Sequence, residues 1–96
     1  MARLDEFIQR SKKLSKSALA GCKPEIYEDM SALLTDIVTA LKNLSDPRLL
    51  EMLNGIIREL LTAQEACDLY RISDDLGYEL PYVLQEISAH TESEQK

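Results

Sequence analysis

An apolar repeat in alternating steps of four and three residues, cut twice by helix-stopping residues, constrains this chain more than anything else in it. In one stretch Ile26, Met30, Leu33, Ile37, Ala40 and Leu44 keep the rhythm; in the next, Leu49, Leu53, Ile56, Leu60, Ala63, Cys67 and Tyr70 continue it. Steps of this size put every member on one side of an α-helix, whereas a half-buried strand needs a period of two. The first stretch is looser: Leu4, Phe7, Ser11, Leu14 and Ala18 hold the spacing, with Ile8 and Leu19 beside them. Gly21-Cys22-Lys23-Pro24 pairs a residue tolerant of a left-handed helix end with one suited to the next first turn. At Ser45-Asp46-Pro47, either Ser45 or Asp46 caps the following helix, with Pro47 in its first turn.

This punctuation predicts helices over 2–20, 24–44 and 47–75, then a short amphipathic segment from Pro81 to His90 carrying Tyr82, Val83 and Ile87. The run Ser73-Asp74-Asp75-Leu76-Gly77-Tyr78 closes the third helix, which is then the longest. The expected fold class is all-α: an antiparallel bundle of three helices with a long third helix and a short C-terminal fourth helix. It forms one helical-bundle domain over 1–90, followed by a disordered C-terminal tail, 91–96. Only 5% of the residues are aromatic, so Leu, Ile, Val, Met and Ala must fill the core. Gly55 interrupts the third helix at a cost of ~1 kcal/mol relative to Ala. It reads either as a point of close helix approach or as a tolerated weak spot.

The apolar stripes are wider than the seam of a simple coiled coil, because Tyr27, Leu34, Val38 and Leu41, then Leu50, Ile57 and Leu61, flank it. Part of this face needs a cover beyond the first helix: the short fourth helix, a second copy, or a partner helix held in a groove. The candidate partner-binding residues are Leu53, Ile57, Leu60, Leu61, Tyr70, Tyr82 and Ile87.

Chemistry-bearing residues are scarce. His90 is the one histidine, so a histidine-rich metal cluster within one chain is excluded. Glu86 and His90 share a helix face at i and i+4, but further ligands are missing and an exposed helix end is the simpler reading. No phosphate loop, nucleophile elbow or dinucleotide fingerprint occurs, and the helix carboxylates mostly fall off the apolar stripes onto a solvated face. Asp74 and Asp75 either end the helix or form a docking spot for a basic partner. Cys22 and Cys67 fall at similar heights if the second and third helices form a hairpin, so a disulfide is allowed, while Cys67 at a seam position reads as a small core residue. The expectation is a protein that is not an enzyme and needs no cofactor.

Charge is divided unevenly. Residues 1–24 carry six basic and two acidic side chains, and residues 25–96 carry five basic and fifteen acidic ones. The acidic body disfavours nucleic acid, leaving Arg10, Lys12, Lys13 and Lys16 as the basic face available to an anion. That face either meets an anionic surface or neutralises neighbouring acidic helices. The opening MARLDEFIQR lacks the apolar core of a secretory signal, and no apolar run approaches the ~20 residues of a membrane span. With the sparse cysteines, the expected compartment is the cytoplasm.

The segments SKSALAGCKPEIYEDMSALL, DPRLLEMLNGIIRELLTAQEACDLY and PYVLQEISAH follow one another as broken helix, long helix and short terminal helix. In this the chain resembles the small flagellar and related type III export chaperones. That resemblance implies a nucleotide-independent module holding an aggregation-prone secretion substrate or regulator between its helices, with the last helix as its mobile element. The secreted helical hairpins with a Trp-x-Gly turn are similar in length and in the spacing of Tyr70–Asp74 and Tyr82–Glu86. Here, however, the turn reads Asn43-Leu44-Ser45 and the chain has no Trp. The functional expectation is a chaperone- or adaptor-like protein-binding module that holds a partner helix in an apolar groove. The alternatives are a small regulator that uses the basic first helix on nucleic acid or an anionic surface, and a structural homodimer.

Overall fold

A computed structural model describes residues 2–21 and 24–94; these are mostly helical, with no strand among them. The elements are α1 (Ala2–Leu19), α2 (Pro24–Ala40), α3 (Pro47–Glu65), α4 (Leu69–Asp74), a π-helical turn (Asp75–Glu79) and α5 (Leu80–Glu94). The last three follow one another without a gap and form a single C-terminal rod, about 40 Å long at the usual rise. Among the described residues four helical rods therefore make the fold, and the third runs antiparallel to the fourth. Arg10 on α1 meets Asp36 on α2, Asp46 before α3 meets His90 near the end of the rod, and Glu59 on α3 meets Arg71 at its start. Ser11 and Ser15 on α1 meet Leu76 and Ser73 in reversed order, so α1 also lies antiparallel to the rod.

The repeat works as expected in α2 and in most of α3. Ile26, Met30, Leu33, Leu34 and Ile37 are buried, as are Leu49, Leu53, Ile56, Leu60 and Ala63. From α1 come Leu4, Phe7, Ile8 and Ala18, and from the rod Ile72, Leu76, Leu80, Val83, Leu84 and Ile87, all in one cluster. Asp46, rather than Ser45, caps α3: its carboxylate accepts from the Arg48 and Leu49 amides at 2.9 and 3.3 Å.

The third helix is shorter than its periodicity suggests. It ends at Glu65, and Cys67 takes φ 53, the left-handed conformation. The Cys67 amide donates to the Gln64 carbonyl and the Asp68 amide to the Ala63 carbonyl, the paired bonds of a Schellman ending. Asp68 then caps α4 by accepting from the Arg71 amide at 3.1 Å. This turn moves Cys67 and Tyr70 into solvent, although the spacing places both on the apolar stripe and reads Cys67 as a core residue. A left-handed Cys carries no sequence signal, since Gly is the usual occupant of such a position.

The expected stop near Ser73–Tyr78 is not a stop. Pro81 sits inside the rod, and a π-helical turn accommodates it. Pro lacks an amide hydrogen and its ring crowds the carbonyl four residues earlier, which strains a regular helix. Just ahead of it the Leu80 amide donates to the Asp75 carbonyl, five residues back, and so leaves Leu76 without its usual donor. Ser11 Oγ supplies one at 2.5 Å. The closest helix pairs are α1 with α2, α1 with the rod and α3 with the rod; the hairpin of α2 on α3 that would bring Cys22 and Cys67 to similar heights is not among them. Helix α5 continues through Glu94, so the stretch expected as a tail is helical backbone to that point; positions 95 and 96 lie outside the described residues. Cys22 also lies outside them, and Cys67 is an exposed free thiol.

Candidate functional site: two grooves of opposite charge

Antiparallel packing of α3 on the rod leaves an open groove of about 560 Å³. Met52, Ile56 and Val83 form its apolar floor, Tyr78 and Tyr82 flank it, and Glu51, Glu59 and Glu79 stand around it. Gly55 faces this space: a Cβ added there would meet nothing within 4 Å. The missing side chain therefore does not serve close helix approach; it leaves the groove deeper.

The groove adjoins a second hollow of about 580 Å³ lined by Glu59, Asp68, Tyr70, Arg71, Asp74, Asp75 and Glu79. Arg71 Nη1 donates to Glu59, and Arg71 Nε lies 4.0 Å from Asp68. Asp75 differs from its acidic neighbours in being only 2% exposed. Its Oδ2 is buried without a hydrogen-bond partner. Burial raises its pKa to about 8, helped by a hydrogen bond with Glu79 and by the negative charges of Glu59 and Glu79, while Arg71 opposes the shift.

On the far side of the π-helical turn, Lys12, Lys13 and Lys16 border a third hollow with Ser15, Leu19, Ser73 and Gly77. Tyr78 lines both this basic hollow and the acidic-rimmed groove, so the two surfaces meet at one side chain. Arg10, the fourth member of the expected basic face, instead reaches α2, bonding Asp36 at 2.9 Å. For this residue the neutralising role fits the contact; Lys12, Lys13 and Lys16 remain exposed.

The structure divides the expected partner-binding residues. Leu53, Leu60 and Ile87 are core residues, and Ile57 is half-buried against the core. Leu61, Tyr70 and Tyr82 are exposed, but only Tyr82 lines the apolar groove. Sequence reasoning missed Met52, Gly55, Tyr78 and Val83 as groove residues, because a groove is set by which two helices adjoin. Glu86 and His90 do not form a metal cluster; His90 Nδ1 lies 3.7 Å from Asp46. Among the described residues, the one group of carboxylate, imidazole and thiol ligands close enough for a metal is Glu59, Asp75 and Glu79. No described helix is long and apolar enough to cross a membrane.

Fold and surface together define an all-α bundle with an acidic-rimmed apolar groove on one side of its last helix and a basic hollow on the other. No protein-family model, curated protein or solved structure matches this chain.

Proposed function

We propose that this chain is a non-enzymatic protein-binding module, chaperone- or adaptor-like, that holds a basic amphipathic helix of a partner in the groove between α3 and the C-terminal rod. The observation that carries the reading is an apolar floor of Met52, Ile56 and Val83, deepened by Gly55 and ringed by Glu51, Glu59 and Glu79. An apolar trough of this kind takes the stripe of a helix, and carboxylates beside it favour lysine or arginine on that helix's flanks. A second copy of the chain is the poorer occupant. Its basic helix α1 already spends Leu4, Phe7, Ile8 and Ala18 on its own core, so it offers charge without an apolar stripe. The cytoplasm is the compartment expected for such a module.

The test uses a synthetic amphipathic helix of leucine and lysine, and its twin with glutamate replacing lysine. Amide NMR spectra of the chain should shift around Met52, Gly55 and Val83 with the lysine peptide and not with the glutamate twin. Gly55→Leu, which fills the groove, should abolish the shifts. Shifts centred elsewhere, or equal response to both peptides, would overturn the reading. Concentration-dependent self-association without peptide binding would favour the homodimer.

Exposed Lys12, Lys13 and Lys16 support the second reading, in which the basic hollow meets an anionic surface. Reversing these charges should then abolish binding to anionic vesicles, and salt should weaken that binding steeply.

A further inference from the structure

We propose that Glu59, Asp75 and Glu79 form a binding site for a hard divalent cation of the size of Ca2+. Each side chain offers one carboxylate oxygen, and the three oxygens lie within 4.8 Å of one another. Two come from the π-helical turn, four residues apart, and the third from α3, which lies antiparallel to it. The site therefore depends on the same local widening of the helix that accommodates Pro81. Single π-helical turns recur at functional positions.

A cluster of surface acids would carry no such inference. Asp75 is different, because it is almost wholly buried in the wall of this hollow and one of its carboxylate oxygens, Oδ2, has no hydrogen-bond partner. A buried carboxylate oxygen without a partner is costly, and either a proton or a cation relieves that cost. The donor set is all oxygen, which suits Ca2+, Mg2+ or Mn2+ and disfavours metals that prefer thiolate or imidazole. Ca2+ holds its oxygens at about 2.3–2.6 Å, so ligands on opposite sides lie roughly 5 Å apart and the observed spread is accommodated. Mg2+ requires about 2.0–2.1 Å and a tighter octahedron. The adjoining hollow, about 580 Å³, has room for the water ligands that complete the shell.

Arg71 is the built-in competitor. Its guanidinium donates to Glu59 and its side chain is half-exposed, so it can leave for solvent when a cation arrives. Removing it should strengthen the site, an effect that a merely structural ion pair does not produce. The inference goes beyond the proposed partner groove and needs no peptide, so the two fail separately although they share Glu59 and Glu79.

The experiment is calorimetric titration of CaCl2 into the chelator-treated 96-residue chain at low ionic strength, repeated with MgCl2. One saturable equivalent of Ca2+ is expected, with weaker binding of Mg2+. Asp75→Asn and Glu79→Gln should each weaken Ca2+ at least about ten-fold, and Arg71→Gln should tighten it several-fold. If circular dichroism shows that Asp75→Asn disturbs the helix, Glu79→Gln at an exposed position carries the test. Absence of saturable Ca2+ binding, tighter Mg2+ binding, or indifference to Glu79→Gln and Arg71→Gln would overturn the proposal.

Discussion

Ser15 and Ser73 stand 58 positions apart and exchange hydrogen bonds: Ser15 Oγ donates to the Ser73 carbonyl at 2.6 Å, and Ser73 Oγ donates to the Ser15 carbonyl at 3.1 Å. Both side chains are buried, so the exchange ties α1 to the rod where the π-helical turn begins. Gly77 completes the contact. A Cβ there would lie 2.7 Å from Ser15 Oγ, and that oxygen cannot swing away without giving up its bond.

Gly77→Ala should therefore destabilise the fold, and Ser15→Ala should cost about 1–3 kcal/mol by removing a buried donor. The double variant should be more stable than the sum of the two, by about 1 kcal/mol or more, because the clash loses its oxygen partner. Urea unfolding of the four proteins measures this coupling, and strict additivity contradicts the contact.

Gly55→Ala should stabilise the chain by about 0.5–1 kcal/mol, since the position is helical and the added methyl meets open space. Thermal unfolding is the measurement. A loss of stability would mean that the helices approach more closely there than the structure describes.

At the left-handed turn, Cys67→Gly should raise stability by up to about 1 kcal/mol, the left-handed conformation being cheap for glycine alone. Cys67→Ala keeps the strain and should leave the melting temperature nearly unchanged. Equal responses from the two variants would contradict the backbone assignment.

Asp75 should make stability fall as pH rises. Its folded pKa of about 8 lies above the ordinary value of 3.8, raised chiefly by burial, so the folded state holds a proton that the unfolded state releases. The stabilisation is full below about pH 4 and is lost as pH climbs through about 8, with a limiting slope near 1.4 kcal/mol per pH unit between them. Unfolding midpoints recorded in chelator from pH 5 to 9 should show this slope, and Asp75→Asn should flatten it. An unchanged profile in the variant would assign the dependence to other groups.

Much of the helical content was legible from spacing alone, because a buried face forces apolar residues to recur at the helical period wherever packing is regular. Ile26 to Ile37 and Leu49 to Ala63 were placed correctly by that rule, and Asp46-Pro47 announced the start of α3. The rule failed where backbone conformation departs from what residue types advertise. Cys67 ends α3 in a conformation usually held by glycine, and Pro81 lies within a helix because five residues before it adopt the wider π-helical path. Ser11 fitted the repeat as a gap among apolar residues, but its purpose is visible only once the rod lies beside it and the Leu76 carbonyl is left in need of a donor.

By itself the sequence determined an all-α chain, the faces its helices bury and the division of charge between a basic first helix and an acidic remainder, all properties of local spacing and residue type. Tertiary structure decided which helices adjoin. That choice makes Leu53, Leu60 and Ile87 core, leaves Met52, Gly55 and Val83 lining a groove, and draws Glu59 to Asp75 and Glu79 across the α3–rod interface. Contacts between distant residues depend on helix pairing and on one π-helical turn, and neither is written in the apolar repeat.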